Sequence, residues 1–229
     1  MLEITDLEVA YGQSQVIRGL TLAAAPNETV AVMGRNGMGK TTLFKALIGI
    51  LPSRAGRIAV DSIDVTAMPS YRRVENGIAY VPQGRMIFPA LTVRENIETG
   101  LETARAKTIP DEIYALFPVL FEMRNRKGGN LSGGQQQQLA IARALVSEPR
   151  VLLLDEPTEG IQPSIIKDIA RVLKEIRKLR EITIIVSEQV LHFALEVADR
   201  IVVIERGAVV YEGPRGDVDT ARISEFLAV

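Results

Sequence analysis

Thr29-Val30-Ala31-Val32-Met33 runs straight into Gly34-Arg35-Asn36-Gly37-Met38-Gly39-Lys40-Thr41, and the residues from Thr41 to Ile50 read as a helix. A short apolar strand, a glycine loop and a helix, in that order, are the context in which Gly-x4-Gly-Lys-Thr spacing works as a phosphate loop. Glycines let backbone N–H groups turn toward phosphate oxygens, and the start of the helix adds positive potential. Gly34, Asn36, Gly37 and Gly39 form the expected cradle. Lys40 is expected to reach the β- and γ-phosphates of a nucleoside triphosphate. Thr41 is expected to set its hydroxyl on Mg²⁺, and Thr42 to touch the α-phosphate.

On either side of this segment the pattern stays α/β. Residues 2–10 and 16–25 alternate or run apolar around Tyr11-Gly12, which predicts a pair of strands. Val151–Leu154, Ile182–Val186 and Ile201–Ile204 are continuous apolar runs separated by helical stretches, as in a parallel sheet covered on both faces. Over 163–180 the residues Ile165, Ile169, Val172, Ile176 and Leu179 define one helical face, and Lys167, Arg171, Lys174 and Lys178 a solvated one. From Met86 to Pro149 the pattern is helical, with loop signals at Pro89, Pro110 and Lys127-Gly128-Gly129-Asn130. The expected organisation is one domain over 1–229. Its nucleotide-binding core covers 1–85 and 150–229, and a helical subdomain covers 86–149.

Bulk properties narrow the function classes. The 229 residues are 47% hydrophobic and 24% charged, enough for a sizeable core. The net charge of −1 gives no reason to expect nucleic-acid binding. The absence of cysteine excludes a disulfide framework or thiolate metal site. The N-terminus lacks a signal-peptide pattern, and no apolar run approaches the roughly 18 residues of a membrane span.

Asp155 closes the apolar run Val151-Leu152-Leu153-Leu154, where a carboxylate is useless to a core but is able to reach a magnesium shell. Glu156 follows and, on strand alternation, points elsewhere. Upstream lies Leu131-Ser132-Gly133-Gly134-Gln135, whose Ser132 suits a helix N-cap. This order of motifs resembles the nucleotide-binding subunit of an ABC transporter, over nearly the whole chain. The resemblance implies a P-loop core with an inserted helical lobe, ATP and Mg²⁺ as cofactors, and Glu156 as the residue that polarises the attacking water. Gln83, in Tyr80-Val81-Pro82-Gln83, matches the glutamine that links Mg²⁺ and that water to the helical lobe. Tyr11 matches the aromatic that stacks on adenine, with Val16 as an apolar neighbour. Ser132, Gly133 and Gly134 match the helix start that grips the γ-phosphate of ATP held by a facing subunit.

Two positions depart from the family pattern. Glu159-Gly160-Ile161-Gln162 stands where Ser-Ala-Leu-Asp is usual, and Gln189 stands where a switch histidine is expected. Glutamine donates a hydrogen bond to a γ-phosphate but does not titrate. His192, the lone histidine, lies three residues on and reads as a helix-surface residue.

A Glu-Gln pair at the switch is similar to one ATPase of branched-chain amino-acid and related amide importers. The blocks 34–41, Tyr80–Arg85, Gln135–Gln138 and Asp155–Ser164 look closest to the second ATPase of urea-type importers. That resemblance implies hydrolysis powering import, most closely of urea or short-chain amides, with branched-chain amino acids as the alternative. It implies as partners a second ATPase (or a homodimer in isolation), two permeases and, indirectly, an external solute-binding protein, and a place on the cytoplasmic face of the membrane. An ABC ATPase outside transport and a weakly hydrolysing regulatory subunit remain open as alternatives.

Overall fold

Alternation along the strands sets which side chain meets which core. The computed structural model describes residues 1–104 and 106–227. β1 (Leu2–Tyr11) and β2 (Ser14–Ala24) are the expected antiparallel pair, turning at Gly12 with φ 54°. β3 (Thr29–Met33) leads through the glycine loop into α1 (Lys40–Leu47), and β4 (Ala55–Val60) and β5 (Ile63–Asp64) then join the first sheet. Its order is β2-β1-β4-β5, antiparallel throughout.

α2 (Ser70–Glu75) and β6 (Ile78–Val81) precede a helical stretch of α3 (Val93–Glu98), α4 (Asp111–Leu116), α5 (Pro118–Glu122) and α6 (Gly133–Leu145). The chain continues with β7 (Val151–Asp155), α7 (Pro163–Arg180), β8 (Thr183–Glu188), α8 (Leu191–Val197), β9 (Arg200–Glu205), β10 (Ala208–Pro214) and α9 (Thr220–Leu227). The second sheet has order β10-β9-β3-β8-β7-β6 and is parallel except at its β10 edge.

This sheet is buried on both faces, which is why its strands read as unbroken apolar runs. Ala31, Met33, Leu152, Leu154, Ile184 and Val186 face one core, shared with α3 through α8. Val30, Val32, Val151, Leu153, Ile185 and Val202 face the other, shared with α1 and the antiparallel sheet. Truncating one fully buried side chain such as Leu153 to alanine would cost about 2–5 kcal/mol, transfer and cavity together. Among the described residues no helix is long and apolar enough to cross a membrane.

Two expectations need correction. α1 stops at Leu47 rather than Ile50, because Gly49 takes φ 80° and the buried Arg73 guanidinium donates to the carbonyls of Ala46 (2.6 Å) and Leu47 (2.9 Å). Leu179 is exposed and Leu173 completes the apolar stripe of α7. Arg180 turns toward Glu112 and the Leu145 carbonyl, which leaves Leu179 facing outward.

Candidate functional site

Parallel register brings the carboxyl ends of the central strands to one level. Met33 lies opposite Glu188, Asp155 opposite Ser187, and Val81 opposite Leu154. Carboxyl ends are where parallel sheets present a crevice to ligands, and the 34–39 loop leaves β3 there. Two of its glycines are required, Gly34 by space and Gly39 by its left-handed backbone. A Cβ on Gly34 would sit 2.5 Å from the Ile204 carbonyl oxygen, and one on Gly39, whose φ is 108°, 2.9 Å from Ile17 Cδ1. No side chain caps the start of α1 and its first turn holds no acid, so its free N–H groups and dipole favour an anion.

The loop floors a cleft of about 310 Å³ lined by Val16, Asn36, Gly37, Gly39, Lys40, Thr41, Thr42, Gln83 and Glu156. A roomier depression of about 480 Å³, at Met1, Asp61, Arg150 and Arg180, lies at the opposite strand ends and touches none of these residues.

Lys40 Nζ donates to the carbonyls of Gly34 (2.6 Å) and Arg35 (3.1 Å) and pairs with Glu156 Oε1 at 3.1 Å. Glu156 also accepts from Gln189 Nε2 (3.0 Å) and Gln83 Nε2 (3.4 Å). Gln189 Nε2 in addition donates to Asn36 Oδ1 at 2.7 Å, so a residue of the switch segment holds both the loop and the carboxylate.

Asp155 collects three hydroxyls: Ser187 Oγ (2.5 Å) and Thr41 Oγ1 (3.3 Å) donate to Oδ1, and Tyr80 Oη donates to Oδ2 (3.1 Å). Burial nonetheless pushes its carboxyl above the usual carboxylate range, and the neighbouring Glu156 charge adds to that rise. Burial and the Asp155 charge together push the Tyr80 phenol far up, so it stays a donor. The expectation that strand alternation separates Asp155 from Glu156 is corrected. β7 ends at Asp155, and Glu156 takes φ 48°, which turns its carboxylate toward Lys40, one residue before the Thr41 that serves Asp155.

Thr41, Asp155 and the Gln83 amide offer hard oxygen donors, the kind Mg²⁺ takes alongside water and phosphate oxygens. No cluster of three or more His, Cys, Asp or Glu able to hold a metal occurs among the described residues. That fits a cation that arrives with its phosphate ligands and does not fit an all-protein cage.

Other expected residues lie outside the cleft lining. Tyr11 ends β1 at 46% exposure and is not among the lining residues, whereas Val16 is. Gly34 backs the loop against Ile204 and does not face the cleft. Ser132 caps α6 with a reciprocal capping box to Gln135, and Gly133 and Gly134 open that helix. Their contacts run to Arg85 and Ile165, so one chain does not bring them to its own loop. His192 lies on the exposed side of α8.

Sequence reasoning missed Ser187, Glu188, Tyr80, Glu159 and Arg85. Ser187 bonds Asp155 and receives the Glu156 N–H at 3.0 Å. Glu159 takes the Gln83 amide at 3.0 Å, and Arg85 Nη2 donates to the Glu159 carbonyl at 3.1 Å. The available signal was the polar pair Ser187-Glu188 closing an apolar strand, the same anomaly that singled out Asp155.

The ABC transporter family model matches residues 17–159. The branched-chain amino acid transport ATP-binding protein BraG of Pseudomonas aeruginosa is 36% identical over 92% of this chain and 91% of that protein. A probable LivF of Archaeoglobus fulgidus, of like description, is 34% identical over 95% and 94%. The lipopolysaccharide export ATP-binding protein LptB of Escherichia coli is 31% identical over 93% and 90%. Among solved structures, a dimeric ATP-binding cassette in a post-hydrolysis state with ADP and Pi superposes with TM-score 0.84 at 25% identity, over 94% of this chain and 99% of that one. The cbiO1 protein of Clostridium perfringens, part of a cbiONQ transporter complex, gives 0.81 at 27% over 97% and 92%.

Proposed function

This chain belongs to the ABC transporter family of ATP-binding ATPases, and we propose that it hydrolyses ATP to drive an importer of branched-chain amino acids or chemically similar small solutes. The observation that carries hydrolysis is the cluster of Lys40, Glu156, Gln83 and Gln189 at the open start of α1. Lys40 and the loop N–H groups hold the β- and γ-phosphates, Thr42 the α-phosphate, and Tyr11 with Val16 the adenine. Glu156 takes a proton from the attacking water as general base, a role typically worth about 10²–10⁴-fold in rate. Gln83 orients that water, and Gln189 donates to the γ-phosphate. Thr41, Asp155 and Gln83 would hold Mg²⁺, which would supply neutralising charge at the phosphates.

Ser132, Gly133 and Gly134 serve the ATP of a facing subunit, so the working unit is a dimer. The likeness to a dimeric cassette supports this. The companion is a second ATPase or, in isolation, another copy. Permeases dock at a groove of about 1060 Å³ between the sheet and the helical stretch, where Ile50, Tyr71, Met86 and Phe88 are exposed. Through them the chain sits on the cytoplasmic face of the membrane, served indirectly by an external solute-binding protein. The organisation into a core over 1–85 and 150–229 and a lobe over 86–149 is part of this reading, with the lobe moving as the site closes.

The likeness to BraG and LivF supports branched-chain amino acids. Urea or a short-chain amide is the second reading, favoured by the Gln135–Gln138 run and the Asp155–Ser164 block. Solute never touches this subunit, so reconstitution with the neighbouring permease and binding-protein genes is the test. ATP-dependent uptake of labelled leucine or isoleucine supports the first reading, and uptake of urea alone supports the second. Uptake of neither, with ATPase activity retained, removes both.

A further inference from the structure

Glu188 ends β8 with its side chain only 2% exposed. Among the described residues no cation pairs with it, and four neutral donors fill its two oxygens. Oε1 accepts from Thr158 Oγ1 (2.6 Å) and Thr158 N (3.1 Å), and Oε2 accepts from Gln189 N (2.9 Å) and Val190 N (3.1 Å). Keeping a buried carboxylate is costly, and burial pushes its pKa up. An apolar side chain there would leave the backbone N–H groups of Thr158, Gln189 and Val190 without this acceptor, so the carboxylate's task is to hold those segments.

We propose that Glu188 is a positioning residue for hydrolysis, fastening the backbone after Glu156 to the backbone at Gln189 and so fixing the separation of those two side chains. The proposal rests on Glu156 being the group that activates water. Glu156 takes φ 48°, a left-handed conformation that residues with a Cβ adopt only where their surroundings hold them. On one side its N–H is held by Ser187 Oγ (3.0 Å) and the Ser187 carbonyl (3.1 Å). On the other, Glu188 holds Thr158, two residues on. The amide of Gln189 is neutral, so no net charge draws it to Glu156. Its 3.0 Å contact depends on where the backbone sets it. Glu156, Thr158, Glu188 and Gln189 therefore close a ring in which the Glu188 side chain bonds the backbone on both sides.

The test is steady-state ATPase activity at saturating ATP in the assembled transporter, with nucleotide affinity and thermal melts alongside. Glu188→Ala is expected to lower kcat roughly ten- to a hundredfold, the size of loss that small misplacements produce. KM for ATP should move less than about threefold, since the interaction lost is felt only in the reacting state. Glu188→Gln keeps one acceptor oxygen and should fall between Ala and wild type. Gln189→Ala should cost far less in the Glu188→Ala background than alone, which a merely structural role would not produce. Wild-type kcat in Glu188→Ala, or independent, multiplying effects of the two substitutions, overturns the proposal. Should Glu188→Ala not fold, Thr158→Val removes the shortest strut with an isosteric side chain, and wild-type kcat there overturns it equally. A Glu156→Gln control with normal turnover would locate the failure in the role of Glu156 itself.

Discussion

Lys40 Nζ lies 3.1 Å from Glu156 Oε1, and the two side chains are only 3% and 8% exposed. The cation proposed to bind phosphate and the carboxylate proposed to activate water thus neutralise each other. Glu156 also holds two amides, from Gln189 and Gln83. On the proposed function, phosphate bound at Lys40 would compete with Glu156 for that cation and release the carboxylate to water. The same pair explains how two buried charges are tolerated, since breaking such a pair typically costs about 3–5 kcal/mol.

Lys40→Ala removes a charge-assisted contact to phosphate, worth about 1.5–3 kcal/mol. ATP affinity should fall roughly ten- to a hundredfold, at 1.4 kcal/mol per decade. Calorimetric titration with ATP checks it, and equal affinities would refute the phosphate-loop assignment. Tyr11→Ala, measured alongside, should weaken ATP and ADP alike, because stacking does not sense the γ-phosphate.

Asp155→Asn should separate stability from function. Burial raises the folded-state pKa of Asp155, so the native state binds that proton more tightly than the unfolded chain does. Stability from this group is then greatest below the unfolded value and falls as pH rises to the raised folded one. Asparagine removes the buried charge, and the three hydroxyls can rotate to suit it. The melting temperature of Asp155→Asn should exceed that of wild type at pH 8, and the gap should narrow as pH falls toward the ordinary carboxylate range. ATP hydrolysis with Mg²⁺ should be lost. A destabilisation that does not change with pH would contradict the desolvation argument.

The chain has no native cysteine, so single thiols map permease docking cleanly. Met86 and Phe88 are 70% and 48% exposed at the groove, whereas Val93 and Asn96 are fully buried. Cysteines at 86 and 88 should crosslink to a reconstituted permease and those at 93 and 96 should not. An active complex without crosslinks at 86 or 88 would remove the groove as the docking surface.

Much of this was legible in the residues. Val151–Leu154, Ile182–Val186 and Ile201–Ile204 announced a doubly covered sheet because both faces of each strand are apolar, and the period over 163–180 announced α7. β10 and β4 were not legible, since their burial is partial and their pairing partners, β9 and β1, are set by tertiary register. Lys40, Thr41 and Asp155 were legible from local spacing. The Lys40–Glu156 pair was not, because it depends on the left-handed turn at Glu156, which strand alternation does not foresee. Glu188 was hidden for a related reason. Its value lies in joining two segments 30 residues apart in sequence.

The most direct test of the account is turnover by Glu156→Gln beside wild type in the assembled ATPase, with ATP affinity measured on the same preparations. The substitution keeps the shape and removes the base. Hydrolysis should fall by about 10²-fold or more while ATP affinity is held or improved, because a negative charge beside the γ-phosphate is gone. Near-normal turnover by Glu156→Gln would contradict the assignment of Glu156 as the general base and, with it, the mechanism built on the Lys40–Glu156 pair.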